Sequence, residues 1–408
     1  MKTYRKIAAR PECMGRLNQG LVLDQIRIND STSRAEIARK IGLSKPSVSR
    51  AVDILLRKKL VLREDSPKDR GRIGRKPEIL KFNTKAAYFE SIDIGGTKIT
   101  FGLGDLSGEL LEECHIGNPR NWDKIVKIIP EEIKKILKNA NISQKKLRGI
   151  AIAAQGVVNI DKGTVGSSPN INGPEGYPLR EKLRKNLPVS IWIENDVNLA
   201  AIGEFWKEQE KYRNIVYISL GTVIGGAILI NGKLFRGTNY YAGEIGWLIP
   251  DRDCLFEDFG KFGCLEGLAT GSALIKKAKE MIQKESFKED VFSLLTNAIT
   301  PKKLFEAYKK GSRLAKNIVK EWIENLGITI SNISSLLNPE LIILEGGLTR
   351  SGGFFLDDLK KIVEWGTQVP PEIKISILQG KAPLYGGLNL CIDNYYYALS
   401  TLGKESKK

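Results

Sequence analysis

Between Met14 and Ile28 the residues Met14, Leu17, Leu21 and Ile28 fall at helical spacing on one stripe, and Asn29-Asp30-Ser31-Thr32-Ser33 then ends the pattern. A second helix is predicted over Arg34 to Ile41, because Ser33 and Glu36 have the Ser-x-x-Glu spacing of a capping box. Gly42 makes a turn and Ser44 caps a third helix. Pro46 fits its first turn, and Val48, Val52, Leu55 and Leu56 face inward. Helices joined in this way form a helix-turn-helix pattern. A Gly- and Arg-rich stretch, Asp65 to Lys76, then leads into Ile79-Leu80-Lys81-Phe82, which reads as a wing hairpin.

From Tyr88 the period changes. Phe89 to Ile94, Gly95-Gly96-Thr97 and Lys98 to Leu103 read as strand, tight turn, strand, with the glycine pair supplying a positive φ. A second glycine-rich strand turn runs from Ile215 to Ile230, with Gly221, Thr222, Gly225 and Gly226 in its centre. A third, Leu341 to Gly347, ends in Gly346-Gly347 after a long helical stretch. Near the end, Leu388, Ile392, Tyr395, Tyr396 and Leu399 stand at helical spacing, so a last helix is expected to pack back on the first lobe.

Charge divides the chain in the same place. The first 85 residues hold 22 Lys and Arg against 9 Asp and Glu, whereas the rest is nearly balanced within a net +17. A basic surplus on a helix-turn-helix points to double-stranded DNA. Lys45, Ser47, Ser49 and Arg50 are of the kinds that reach phosphates and base edges, and Arg72, Arg75 and Lys76 suit the backbone or minor groove. A plain helical bundle with a solvated basic face is the alternative, and charge alone favours it. No apolar run is long enough to span a bilayer, so a cytoplasmic protein without membrane partners is expected. Five Cys without framework spacing suggest reduced thiols, and a single His, His115, excludes most imidazole chemistry.

Candidate chemistry gathers around the glycine turns. Asp93 offers a carboxylate to a hydrated magnesium ion, and Gly95, Gly96 and Thr97 offer backbone amides and a hydroxyl to a phosphate. Asp196 follows the apolar strand Val189 to Ile193 and is placed either as a proton acceptor in a cleft or as the cap of the helix after it.

Taken together, the hairpin with Asp93-x-Gly95-Gly96-Thr97, Glu194-Asn195-Asp196-Val197-Asn198, Ala242-Gly243-Glu244-Ile245-Gly246 and Gly263-Cys264-Leu265-Glu266 resemble the ROK family of sugar kinases and sugar-responsive repressors. With the head in front, the whole chain is similar to the repressor branch. The resemblance implies an α/β fold: an N-terminal winged helix-turn-helix over 1–84, then a two-lobed actin- and hexokinase-like ATPase fold over 85–408, divided near Asp196. It implies Asp196 as general base, with Asn195, Glu244 and Glu266 bonding sugar hydroxyls, and Asn170 as a further sugar contact. Phosphate and adenosine contacts fall to Gly221, Thr222, Gly225, Gly226, Gly346 and Gly347, with ATP and magnesium as the implied cofactors.

Departures from the family pattern refine this. Trp247 replaces a usual His, and either covers a sugar face or fills core. Two of the three family thiolates are missing beside Cys264, so no zinc is expected, and Phe256, Phe259 and Phe262 are expected to staple that loop instead. Val223 and Glu345 stand where glycine is common, which weakens the nucleotide site. The expected function is a sugar-responsive transcriptional regulator, a repressor acting as a homodimer or higher oligomer on an operator. The alternative is an ATP-dependent sugar kinase carrying a DNA-binding head.

Overall fold

The computed structural model describes residues 11–29, 31–64, 78–166, 168, 170–208, 211–260, 262–283, 299–351 and 353–400. Arg72, Arg75 and Lys76 lie outside the described residues. The head consists of α1 (Pro11–Ile28), α2 (Arg34–Ile41), α3 (Lys45–Arg57) and the antiparallel pair β1 (Val61–Glu64) and β2 (Ile79–Phe82). The Ser33 hydroxyl and Glu36 carboxylate make the capping box of α2, Gly42 closes it at φ 68°, and Ser44 caps α3. Thr32 and Leu80 exchange backbone hydrogen bonds, adding one rung to the hairpin.

The first helix packs differently from its sequence expectation. Met14, Leu17, Leu21 and Ile28 are exposed, the last at 69 %, and the buried face is Gln19, Val22, Leu23 and Ile26. Gln19 accepts from Lys58 Nζ at 3.2 Å and donates to the Gly15 carbonyl at 3.2 Å, so a polar residue completes that face.

One short turn, Thr84–Ala86, joins the head to two sheets of identical plan. The first is made of β3 (Tyr88–Ile94), β4 (Lys98–Asp105), β5 (Leu110–Gly117), β6 (Leu147–Ala154) and β9 (Ser190–Asn195), in the order β5-β4-β3-β6-β9. Between β6 and β9 come the small pair β7 (Val158–Asn159) and β8 (Thr164–Val165). The second sheet is made of β10 (Ile215–Leu220), β11 (Ile224–Ile230), β12 (Lys233–Phe235), β13 (Leu341–Glu345) and β14 (Glu372–Ile375), in the order β12-β11-β10-β13-β14. In each, an antiparallel meander is followed by two strands added in parallel. Parallel additions need crossovers that cover the faces, hence the helices α4 (Trp122–Asn139), α5 (Leu179–Arg184), α6 (Asp196–Lys207), α7 (Cys264–Ala269), α8 (Gly271–Ile282), α9 (Pro301–Lys309), α10 (Arg313–Leu337), α11 (Leu356–Gly366) and α12 (Ala382–Ser400).

α6 and α12 cross between the sheets. Contact there is backbone to backbone: a Cβ on Gly203 would stand 2.1 Å from the Ala382 carbonyl oxygen, and one on Gly386 would stand 1.8 Å from that of Leu199. α12 then runs over the first sheet, where Gly387 lies against Ser91, and its far half meets the head. Val22, Ile26, Val52 and Leu80 of the head form one core with Phe89, Ala151, Leu388, Cys391 and Ile392. Tyr395, Tyr396 and Leu399 pack at its edge. Among the described residues, no helix is long and apolar enough to cross a membrane.

Candidate sugar cleft and DNA-facing helix

The cleft opens where strand ends of the two sheets face each other, the usual place for a ligand in an open α/β sheet. At the end of β9, Asn195 is the cap of α6: its Oδ1 accepts from Asn198 N at 3.0 Å and its Nδ2 donates to the Gly156 carbonyl at 3.0 Å. Asp196 is therefore the first residue of the helix rather than its cap. Its Oδ1 accepts from Val197 N at 3.0 Å, and the helix N-terminus holds the carboxylate in the cleft. Burial pushes the Asp196 carboxyl up to about 6, against the lowering effect of backbone hydrogen bonds, and the Glu244 and Glu345 charges push the same way as burial. Asp93 is pushed further, to about 7, first by burial and then by the Asp196 charge, with Lys98 opposing and Glu345 adding to the rise. Asp93, Asp196, Glu244 and Glu345 are thus one electrostatic group, although the chain separates them widely.

The glycine turn at Gly95 and Gly96 has no positive φ, contrary to the sequence expectation. Close approach explains it instead, since a Cβ on Gly96 would lie 3.1 Å from the Asn170 side chain. Asn118 Nδ2 donates to the Gly95 carbonyl at 2.6 Å and Asn170 Nδ2 to Gln155 Oε1 at 3.2 Å, so the exposed Asn170 sits beside Gly96 and the exposed Thr97 at the lip. Across the cleft Gly346 does need φ 115°, and a Cβ there would meet the Leu220 carbonyl at 2.3 Å. Gly347 faces open space, a Cβ on Gly221 would only touch the Val223 carbonyl at 3.8 Å, Gly225 rests on Val197, and Thr222 and Val223 are exposed on the intervening turn.

Glu266 is buried with both oxygens engaged, accepting from Ile224 N at 2.9 Å and Gly263 N at 3.1 Å. It clamps the second glycine hairpin to the loop that follows Trp247. Gly226 and Gly246 pack inside this clamp, where a Cβ would strike Ile245 or Glu266. Glu244 stands at the rim, and its carboxyl is raised first by the protein that partly surrounds it and then by the Glu266 charge. Trp247 is 60 % exposed and fills no core. The expected aromatic staple is reduced to Phe259, which covers Gly267, while Phe256 is 95 % exposed and Phe262 also faces outward. Cys254 and Cys264 are brought into mutual hydrogen-bond contact, and burial raises both thiols, Cys264 to about 12.

Two inter-lobe ties were invisible in the sequence. Arg236 grips Glu194 through Nε at 2.8 Å and Nη2 at 2.7 Å, while Glu194 Oε1 accepts from Asn195 N and Asn198 Nδ2, each at 2.9 Å. Tyr240 donates to Asp161 at 2.6 Å. Both anchor the loop after β12 to the first lobe, and the Arg236 tie braces the start of α6 through Glu194.

Beside the glycine turns, which leave room for phosphates, stand the carboxyls of Asp93, Asp196 and Glu345, where like charges raise Asp93 and Asp196. Among the described residues no three His, Cys, Asp or Glu side chains group as a metal site. On the head, Lys45 and Arg50 are exposed and Ser49 is half-buried on α3. Ser47 accepts from the Ser44 hydroxyl at 2.9 Å, so part of its capacity serves the cap. Arg34, missed in the sequence, fixes α3 by binding Asp53 at 2.8 Å, Glu78 at 2.9 Å and the Ser49 carbonyl at 3.0 Å.

The ROK family model matches residues 89–394, three quarters of the chain and the whole cleft. The chain belongs to the ROK family. A model of the MarR family, whose members carry winged helices, matches residues 16–70. Among ROK relatives, the xylose repressor of Caldicellulosiruptor bescii is 29 % identical over 387 residues, spanning 93 % of this chain and 96 % of that protein. The glucokinase of Halalkalibacterium halodurans is 30 % identical over 313 residues, 74 % of this chain and 93 % of its own. Among solved structures, a ROK transcriptional regulator homologous to the E. coli MLC protein covers 95 % of this chain and 99 % of its own, with TM-score 0.80 at 21 % identity, a likeness of fold. The Streptomyces griseus ROK glucokinase, solved with glucose and AMPPNP, is 29 % identical with TM-score 0.61, covering 74 % of this chain and 99 % of its own.

Proposed function

We propose that this ROK protein is a DNA-binding transcriptional repressor released or recruited by a free sugar, with a pentose of the xylose type as the first ligand to test. One observation carries the reading: the head, α12 and the first sheet share a single core, and α12 crosses the helix that begins at Asp196. A ligand that draws the lobes together acts on the α6 and α12 crossing, and α12 is the floor on which the head stands. That coupling gives a sugar differential contact with two arrangements of the head, which is what effector control requires. Repressors named for xylose match over head and cleft alike, whereas the kinases lack the head's length of match.

Within the cleft, Asp196 accepts a hydrogen bond from a sugar hydroxyl, Asn195 and Glu266 position it, Asn170 and Glu244 contact further hydroxyls, and Trp247 covers a C–H face. An uncharged polyol meets the carboxylates without the repulsion a triphosphate meets. On DNA, Lys45, Ser49 and Arg50 enter the major groove, and two copies of the chain read two half-sites about 34 to 36 Å apart or a multiple of it. A second reading keeps one supporting observation: a half-buried Asp196 held at about 6 is suited to accept a proton during phosphoryl transfer.

The test uses the full chain and a duplex selected from random sequence. Affinity should fall steeply with salt and change on adding xylose, and Asp196→Asn should keep DNA binding while losing the sugar response. Salt-insensitive binding, or indifference to every sugar in a panel of pentoses, hexoses and amino sugars, would count against the repressor. ADP release with any of those sugars, abolished by Asp196→Asn, would favour the kinase.

A further inference from the structure

Behind the sugar cleft, on the other side of Arg236, lies a cavity of about 600 Å³, within the size range of small-molecule sites. α6, α12 and the β11–β12 hairpin line it, and it is open to solvent on one side. Its apolar wall includes Phe205 and Trp206 of α6 and Leu390 of α12, and its polar side carries three cations, Arg213, Lys233 and Arg236. Arg236 is held by Glu194, whereas Arg213 and Lys233 are exposed and form no side-chain ion pair among the described residues. Asp393 is the acidic side chain on the lining.

Three cations beside an aromatic wall select a particular kind of ligand. The charged head of a phosphate or carboxylate gains charge-assisted hydrogen bonds from the guanidinium and ammonium groups, and a ring-sized body covers Phe205 and Trp206. A neutral sugar leaves Arg213 and Lys233 without an anionic partner, and a bare inorganic ion leaves the aromatic wall wet. We propose that this cavity is a second effector site, taking a small organic anion that carries one phosphate or carboxylate on a ring-sized body. Its consequence for DNA rests on the repressor reading; its occupancy does not. One wall is α6, which starts at Asp196, and another is α12, which carries the head. Asp393 borders both this cavity and the groove where α12 meets Gln19, Leu23 and Arg27 of α1. An anion seated here sets the spacing of the two helices through which sugar occupancy reaches the head, so it tunes the sugar response rather than replacing it.

The full-length protein, free of DNA and sugar, is titrated calorimetrically and by thermal shift with phenyl phosphate, phenylacetate, inorganic phosphate and benzyl alcohol. Phenyl phosphate, phenylacetate or both should bind, whichever head group suits the cations, with inorganic phosphate weaker and benzyl alcohol showing no binding. Arg213→Glu and Lys233→Glu should each weaken the bound anion by about tenfold while xylose affinity stays unchanged. With the selected duplex present, the bound anion should shift operator affinity several-fold, and the same two variants should lose the shift. Absence of anion binding, equal binding by both charge-reversal variants, or one-for-one displacement by xylose would overturn the site. Binding that leaves operator affinity unmoved would overturn the effector role. The binding arm reads out even when no sugar alters DNA binding, so failure of this site and failure of the repressor reading are separable.

Discussion

The two sheets have one strand order and one set of directions, yet they bury their faces in different ways. The second sheet is closed by a large helical layer on one side, with Trp322, Phe305 and Phe355 at its centre, and by α6 on the other. The first sheet packs α4 on one face, with Trp122 and Ile129, and gives the other to α12 and the head. A duplicated topology therefore supplies two similar walls to a cleft, and only one wall is continuous with a DNA-facing element. The walls meet at the crossing of α6 and α12, where Gly203 and Gly386 let the two backbones touch.

That crossing is the place where the comparison breaks most easily. Gly386→Ala puts a methyl group into the Leu199 backbone, which no rotamer change relieves, so the helices must part. Unfolding free energy should fall by about 3 kcal/mol or more. Gly117→Ala, at a glycine with open space around it, serves as the control and should leave the melting temperature nearly unchanged. A Gly386→Ala protein as stable as its parent would mean that the lobes do not meet at this crossing.

A smaller effect tests whether head and first lobe are one cooperative body. Leu388 is fully buried where α12 meets both, so Leu388→Ala should cost about 2 to 3 kcal/mol through the cavity it leaves. The loss should appear in a single transition, together with weaker DNA binding. Two separated transitions, with the head melting first, would show that the shared core does not couple them.

Local signals in the sequence were read well and distant ones were not, for physical reasons that differ by residue. Ser33 and Glu36 bond each other across three positions, so spacing alone marks the start of α2. The stripe Met14, Leu17, Leu21 and Ile28 is wholly apolar and looks more core-like than the true face, which contains Gln19; what buries Gln19 is Lys58, with α12 packed alongside the helix. Asp93, Asp196, Glu244 and Glu266 were legible as motifs because each sits at a strand end or glycine turn. Their mutual repulsion was not legible, because it depends on two sheets closing on one cleft. Arg236 lies 42 residues from Glu194 in an undistinguished loop, and no periodicity points from one to the other. At Gly95 and Gly96 the positive φ expected of the turn is absent; a Cβ on Gly96 would crowd the Asn170 side chain, which comes from a distant turn, and one on Gly95 the Lys98 carbonyl.

The smallest effect concerns charge in that cleft and separates a binding surface from a packing surface. Asp196 at about 6 and Asp93 at about 7 both lie above the ordinary carboxylate range, so the folded protein holds protons that the unfolded chain releases. Their contribution to stability is present below about pH 4 and is lost as pH rises through 6 and 7. Asp196→Asn removes one charge from beside Asp93 and Glu345 while its amide oxygen still accepts from Val197 N. At pH 8 the variant should therefore be more stable by about 1 kcal/mol, partly offset by the lost favourable charge at the α6 N-terminus. Near pH 4.5 the two proteins should melt together. Glu90, fully buried on the opposite face of β3 with neither carboxyl oxygen hydrogen-bonded among the described residues, is also raised by burial, so a residual fall in stability with pH remains in the variant. Melting temperatures from pH 4.5 to 8 decide the matter: an unchanged slope, or an Asp196→Asn protein less stable at pH 8, would mean that Asp196 is paired rather than strained. A gain in stability joined to a lost sugar response would mark Asp196 as a residue kept for its ligand at the expense of the fold.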